Sequence, residues 1–513
     1  MNKIAHHLLQ LTIALLAFFA NSQAVMAQTE LRMEAQSTTS SGDFTPLWLN
    51  ANRYGLSSFD KSNGYVRAGL FHTPVDTLKN WTLGYGVDLA VAHHYSSTLI
   101  VHQAYTDIGW KQWLLTIGCK EQPLAMRNQQ LSSGAQTLGV NARPVPTVRL
   151  SLPDYCTVPY TRGWLSVKGH MAYGRLTDDN WQEDFSDKIN KHSSGTLYHS
   201  KAGYMRIGNP RRSFNLELGL EMGCLFGGTT HRMVDGQMAD LKNRSGIGSY
   251  INAFIPSGGE IDEGEYRNRE GNHLGSYLIR ANFDRPRFSL GLYADHFFED
   301  HSQMFFVDYD GYGQGEEYQE WKENRWLIYE LHDIMLGMDL RLKRCRWLDA
   351  VTFEYIYTKH QSGPVNHDRT REISDHVAGM DDYYNHYLNS GWQHWGQVMG
   401  NPLYRSPLYN TNSTIRVANN RFWAWHAGIA GHPLAGVEYR LMATLQKGWG
   451  TYNNPLPDPE RNTSIMAEAG YTVPDGANLS GWSIRAAWGL DHGHLLGNNM
   501  GVQLTIARRL LLK

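Results

Sequence analysis

Aromatic rings set beside carboxylates and amides are the groups that hold a sugar, and one stretch of this chain concentrates them. It runs Asp381-Asp382-Tyr383-Tyr384-Asn385-His386-Tyr387, then Gly391-Trp392-Gln393-His394-Trp395, then Gly400-Asn401-Pro402-Leu403. The CH face of a pyranose stacks on Trp or Tyr, while Asp, Asn and Gln hydrogen-bond its hydroxyls. Asp381, Asp382, Tyr383, Tyr384, Trp392 and Trp395 are therefore the candidate ligand-binding residues. The competing expectation is that these rings pack a plug folded into the mouth of a larger structure. The two overlap, because a plug can also present a sugar-binding surface. Just upstream, Ser374-Asp375-His376 has the form of a capped helix start, with Ser374 as the cap.

Other chemistries are weaker in the sequence. Asp491-His492-Gly493-His494 and the pair His93-His94 could offer zinc ligands. Loops rich in His and Gly commonly hold no metal, however, and none is expected here, nor any other cofactor. With 23 His and many acids, chance nucleophile–His–acid pairings abound. No Gly-x-Ser-x-Gly elbow lies in a strand–turn–helix context. The expectation is a non-enzyme.

The elements that must position these residues are strands. Leu83, Tyr85, Val87, Leu89 and Val91 interleave with Gly84, Gly86, Asp88 and Ala90. Phe214, Leu216, Leu218, Leu220 and Met222 interleave with Asn215, Glu217, Gly219 and Glu221, and Met500, Val502, Leu504 and Ile506 with Gly501, Gln503 and Thr505. A period of two with one apolar and one polar face marks a strand between two different solvents. A soluble sandwich would alternate in the same way, so loop lengths discriminate better. Short connections such as Gly208–Ser213, Asp284–Arg287 and Gly431–Ala435 alternate with long ones at Leu225–Leu274, Glu299–Leu327, His360–Asn420 and Gly448–Thr463. Short periplasmic turns and long extracellular loops are the pattern of an outer-membrane barrel. Directions count to 18 antiparallel strands, an even number that closes without a free edge. The first (Leu31–Thr38) and sixth (Val145–Leu152) show the weakest alternation, which leaves sixteen as the other count. The long segment 361–413 is then an extracellular loop or plug.

Export supports this. Residues 1–27 read as a signal peptide: Lys3, an apolar run from Leu8 to Ala20, and the small-residue site Val25-Met26-Ala27. No Cys follows that site, which argues against a lipid anchor, and no later window is long and apolar enough for a membrane helix. Residues 28–513 would form the barrel. The mean hydropathy of −0.46 suits one, since only every second strand residue meets lipid. The 28 Tyr and 16 Trp suit its interfacial girdles. Without Lys3 the chain carries 46 basic and 49 acidic residues, a balance that argues against a nucleic-acid partner. The four cysteines have no ligand-like spacing and read as small strand side chains. The inward charges Asp88, Glu217, Asp339, Arg341, Glu354, Glu438, Arg440 and Arg485 carry both signs. They suggest a self-neutralising interior more than an ion-selective pore, although a diffusion channel remains the alternative function.

A further group of motifs lies between Trp113 and Trp181. It comprises Lys120-Glu121-Gln122-Pro123, Leu131-Ser132-Ser133-Gly134, Asn141-Ala142-Arg143-Pro144, Leu152-Pro153, Lys168-Gly169-His170 and Thr177-Asp178-Asp179-Asn180-Trp181. With Ser41–Ser58, SGDFTPLWLNANRYGLSS, this pattern closely resembles the capsule-assembly Wzi family of outer-membrane proteins, as found in Bacteroides-like bacteria. The resemblance implies an 18-stranded barrel in the outer membrane that binds capsular polysaccharide and helps attach or organise it at the cell surface. Enterobacterial members carry a helical bundle over the periplasmic mouth, and Gln28–Ser40 shows no helical periodicity to match it. The expected protein is thus a monomeric, lipid-embedded barrel with surface polysaccharide as its partner.

Overall fold

The computed structural model describes residues 27–74, 80–209, 212–255, 259–262, 265–268, 271–299, 306–308, 325–327, 332–363, 365–366, 377–378, 380–477 and 479–512. The expected signal peptide, apart from Ala27, and the Ser374 cap lie outside these residues.

Eighteen strands form one sheet. They are β1 (Ala27–Ser41), β2 (Ser62–Pro74), β3 (Trp81–His93), β4 (Leu99–Trp110), β5 (Trp113–Cys119), β6 (Thr147–Thr157), β7 (Leu165–Arg175), β8 (Leu197–Ile207) and β9 (Phe214–Phe226). The second half is β10 (Asn272–Asp284), β11 (Phe288–Glu299), β12 (Ile334–Leu342), β13 (Ala350–Tyr357), β14 (Phe422–Leu434), β15 (Val437–Gly450), β16 (Pro455–Thr472), β17 (Trp482–Gly493) and β18 (Asn499–Leu512). Each strand pairs antiparallel with its neighbours in sequence. The ring closes through β1 and β18, from Thr29↔Leu512 to Ser41↔Met500. Both strands of weakest alternation are therefore present, and the count is 18. Gln28–Ser40 lies within β1, so this segment is wall and not a helical cap.

The alternation does what its chemistry requires. Val502, Leu504 and Ile506 are exposed on the outer face, whereas Gln503 and Thr505 between them are buried in the lumen. At the short-turn end Trp81, Trp110, Trp113, Trp164 and Trp347 stand exposed as a girdle. Inside, cations and acids on nearby strands pair: Arg67 with Glu34 (3.2 Å), Arg206 with Glu217 (2.7 Å), Arg280 with Asp339 (2.7 Å), Arg440 with Glu468 (3.1 Å) and Arg485 with Glu438 (3.2 Å). Among the described residues no helix is long and apolar enough to cross a membrane. One loop differs from expectation. Gly448–Thr463 is not an open loop, because β15 and β16 continue through it to a turn at Thr451–Asn454.

Three segments turn inward and fill the lumen. The first, 42–61, carries the short helix α1 (Leu47–Asn50), all four residues of which are buried. The second, 120–146, leaves the wall where β5 stops after seven residues. The third, 380–420, comes from the long loop. Their apolar side chains share one buried cluster that includes Trp48, Tyr383, Tyr384, Trp392, Leu403, Tyr404 and Tyr409. Little of this plug is regular, so its buried backbone must find partners among side chains. Asn141 accepts from the Asn52 N–H (3.0 Å) and donates to the Val398 carbonyl (3.0 Å). Asn401 donates to the Gly134 carbonyl (3.2 Å) and accepts from the Leu403 N–H (3.0 Å). Wall groups hold the plug from outside. Asp491 accepts from the Leu47 N–H (3.0 Å) at the start of α1, and Glu354 accepts from the Ser132 hydroxyl (2.6 Å) and the Ser133 N–H (2.8 Å).

Candidate functional site

The aromatic stretch expected to stack on sugars is the interior of the plug. Tyr383 and Tyr384 are fully buried, and Trp392 is 1% exposed with its ring stacked on Tyr198. Tyr383 donates to Asp333 (2.9 Å), and Trp392 donates from Nε1 to the Thr137 carbonyl (3.0 Å). Trp395 is covered by the guanidinium of Arg143, 4.3 Å above its ring. The half-buried carboxylates are engaged too: Asp382 accepts from Asn420 (2.6 Å), Asn385 (2.8 Å) and Arg416 (3.0 Å), and Asp381 accepts from Ser362 (2.6 Å). As placed here, these six groups bond protein. Rings and amides able to grip a sugar are equally able to satisfy a buried loop.

His93 and His94 stack at 3.8 Å, and Asp491 caps α1. Among the described residues no group of three or more His, Cys, Asp or Glu could hold a metal ion. None of the four cysteines is in a disulfide.

A different place gathers chemistry. Between the plug and the inner face of β5 to β9 lies a cavity of about 380 Å³, within the roughly 300–1,000 Å³ typical of ligand sites. It extends from Leu114 and Lys168, toward the periplasmic turns, to Tyr198 and Trp392 near the outer ends of the strands. Lys120-Glu121-Gln122-Pro123, Ala142-Arg143-Pro144, Leu152-Pro153 and Lys168-Gly169-His170 all line it. Four motifs scattered over fifty residues of sequence thus converge on one space. The wall bends there: β6 and β7 lose register between Leu152 and Cys156, a bulge that accommodates Pro153 inside a strand.

The electrostatics of this cavity differ from the rest of the lumen. Elsewhere the inward cations described above have acids within about 3.3 Å. Among the described residues, no carboxylate lies at ion-pair distance from Arg143, Arg149 or Lys168. The Lys168 ammonium instead sits 4.8 Å from the Tyr155 ring and 5.0 Å from the Tyr204 ring. Burial lowers the Arg143 guanidinium to about 10, still cationic at neutral pH. Tyr204 donates to Glu221 (2.7 Å), and His170 and Ser200 bond at 3.3 Å. At the mouth of the plug segment, burial disfavours the Glu121 carboxylate. The hydrogen bond from His102 (2.6 Å) and nearby positive charge outweigh it and hold Glu121 below the usual carboxylate range. The result is a polar, tyrosine-lined, net-positive space.

Comparison with known proteins agrees with the architecture. The sequence model of the family "capsule assembly protein Wzi" matches residues 28–318. Among solved structures the chain is similar to Wzi of Escherichia coli, described as a carbohydrate-binding β-barrel of the outer membrane involved in group 1 capsule assembly. That likeness has a TM-score of 0.52 at 11% identity and covers 93% of this chain and 83% of that one. The chain is also similar to OccK5 (OpdH) of Pseudomonas aeruginosa, with a TM-score of 0.47 at 9% identity over 95% and 98% of the two chains. No curated protein matches. Because the matched region is more than half of the sequence, the chain, an outer-membrane β-barrel of 18 strands, belongs to the Wzi family of capsule assembly proteins.

Proposed function

We propose that the protein binds an acidic capsular polysaccharide and helps hold it at the cell surface, as a monomer and without catalysing a reaction. The observation that carries this reading is the cavity: four motifs of the family pattern line it, and three cations with no carboxylate at ion-pair distance share it with tyrosines and hydroxyls. Uronate carboxylates or sugar phosphates would satisfy Arg143, Arg149 and Lys168, while the tyrosine rings suit the faces of the sugar rings. Its elongated shape suits one or two residues of a glycan. On this reading Tyr383, Tyr384, Trp392, Trp395, Asp381 and Asp382 serve binding indirectly, by fixing the plug that forms one side of the cavity. The relative from Escherichia coli, described as carbohydrate-binding, supports the same class of ligand.

The test pairs a deletion strain with its parent and measures cell-bound against shed capsule. The deletion should shift capsule from cells to medium, and the wild-type gene should restore it. A strain producing Arg149→Gln/Lys168→Gln should resemble the deletion while the barrel still reaches the membrane. Unchanged capsule distribution in the deletion would refute the function, whereas a normal double variant would refute only the site.

A further inference from the structure

The excursion between β9 and β10 contains a helix that lies outside the barrel. This is α2 (Ile247–Phe254), sequence IGSYINAF, with no charged residue. On β8, Tyr198 and Ser200 line the internal cavity, so His199 and Lys201 point outward. Tyr173 of β7 and Phe226 of β9 are on the same outer face, and these are the residues the helix covers. Cys224, Phe226 and Ala253 form a fully buried cluster with Tyr173 and Leu197 packed against it. Phe226 meets Tyr250 edge-on at 5.2 Å, and His199 meets Phe254 at 5.7 Å.

Polar side chains on the outer face of a membrane wall need partners that lipid cannot give. Three of them find carbonyls at the C-terminal end of this helix. The Tyr173 hydroxyl donates to Tyr250 O (2.7 Å), His273 Nε2 donates to Asn252 O (3.1 Å), and the Lys201 ammonium donates to Phe254 O. The small residues Ser249 and Ala253, four apart, are buried against the wall, which lets the helix lie close to it. The opposite face is apolar and open. Ile247 is 83% exposed, Ile251 56% and Ile255 57%, again at four-residue spacing, and Tyr250 and Phe254 flank this stripe.

The identity of what covers the stripe follows from where it lies. Toward the short-turn end, on the same outer face, come Met171 of β7, Leu220 of β9 and Ile279 of β10, all exposed apolar residues of the lipid-facing band. The stripe continues that band at its outer edge. Lys242 and Arg244, both exposed, precede the helix, as cations do beside helices that lie at an anionic lipid surface. We infer that α2 is an interfacial anchor, seated in the outer leaflet of the outer membrane with Ile247, Ile251 and Ile255 against lipid acyl chains. It widens the barrel's grip on one side of the membrane and tethers the segment 227–255 to the lipid surface.

The experiment uses the full-length barrel in vesicles containing anionic phospholipid, with a nitroxide spin label on Ile251→Cys after replacement of the four native cysteines. Leu504→Cys on the lipid-facing wall and Asp235→Cys on an exposed turn serve as references. Collision with oxygen should dominate at 251, as at 504. Collision with a water-soluble nickel chelate, as at 235, would overturn the inference, and so would shielding from both reagents, which means a protein cover. Should the cysteine-free barrel fail to fold, a benzophenone side chain placed at Ile251 in the otherwise native chain gives the same decision in cells. Photocapture of lipid supports the anchor, and capture of protein or of nothing overturns it.

Discussion

The indole of Trp392 lies directly on Gly223 of the barrel wall: a Cβ at that glycine would stand 2.2 Å from Trp392 Cη2. The wall has given up a side chain where the plug seats its largest ring. Gly428 plays a similar part for Leu131, whose Cβ would meet an added methyl at 3.0 Å. Gly223→Ala should therefore displace the plug by overpacking, at a cost of about 1–3 kcal/mol. Trp392→Ala should empty the same space at about 3–5 kcal/mol. Both variants should keep the heat-modifiable gel shift of an intact barrel while protease cleaves within 380–420. A loop as resistant as wild type in both would show that this contact does not hold the plug.

The second anchor is ionic. The Arg127 guanidinium donates to the Asp295 carboxylate, and each side chain is only 1% exposed. Removing one partner of a buried pair strands the other charge, at about 3–5 kcal/mol. Arg127→Ala and Asp295→Ala should each loosen the 120–146 segment, whereas Arg127→Met/Asp295→Leu together should recover much of the loss. Hydrogen exchange of that segment reads the outcome. A double variant as unprotected as the singles would mean that charge pairing is not the main contribution.

With three segments packed in the lumen, the purified barrel in planar bilayers should show little stable conductance. Variants that unseat the plug, Gly223→Ala or Arg127→Ala, should raise it. Large steady openings in the wild type would restore the diffusion-channel reading and weaken the binding one.

Acid should loosen the plug by a route of its own. Burial, reinforced by the charge of Lys191, lowers His386 to about 3, and burial lowers His394 to about 4. Both are neutral while the plug is closed, and an opened plug would let them bind protons below their ordinary pKa of about 6.5. The open form thus holds more protons between about pH 6.5 and pH 4, so closure weakens as pH falls through that window. Each pH unit costs up to about 1.4 kcal/mol per histidine. Cleavage within 380–420 should rise at about pH 5 relative to pH 7, and less so in His394→Gln. A pH-independent cleavage rate would contradict this assignment.

Saccharide binding should depend on charge. Loss of a hydrogen bond to a charged group costs roughly 1.5–3 kcal/mol, so Arg149→Gln should weaken binding of an acidic oligosaccharide about tenfold to a hundredfold. Added salt should weaken it as well. A neutral oligosaccharide bound as tightly as its acidic counterpart would argue against cationic selection.

The sequence by itself determined the wall. Strict alternation in segments such as Phe214–Met222 leaves one apolar face and one polar face. Together with short turns alternating with long loops, this fits a closed barrel in a membrane, and the ring of 18 strands includes the long β1 whose alternation is faint. The mixed inward charges could also be read as self-neutralising, because Glu217 and Arg440 recur on the polar phase of their strands. What lies inside was not legible in this way. Tyr383, Trp392 and Asn401 follow no period, and the same rings and amides serve a sugar or a buried backbone equally well. Only the tertiary structure decided between these partners, by bringing Gly223, Thr137 and Gly134 to meet them. The cavity too is a product of folding: Arg149 and Lys168 lie on two strands, and Lys120 and Arg143 on an inserted loop. Folding alone pairs Lys120 with Asp107 while leaving Arg143, Arg149 and Lys168, among the described residues, without a carboxylate at ion-pair distance.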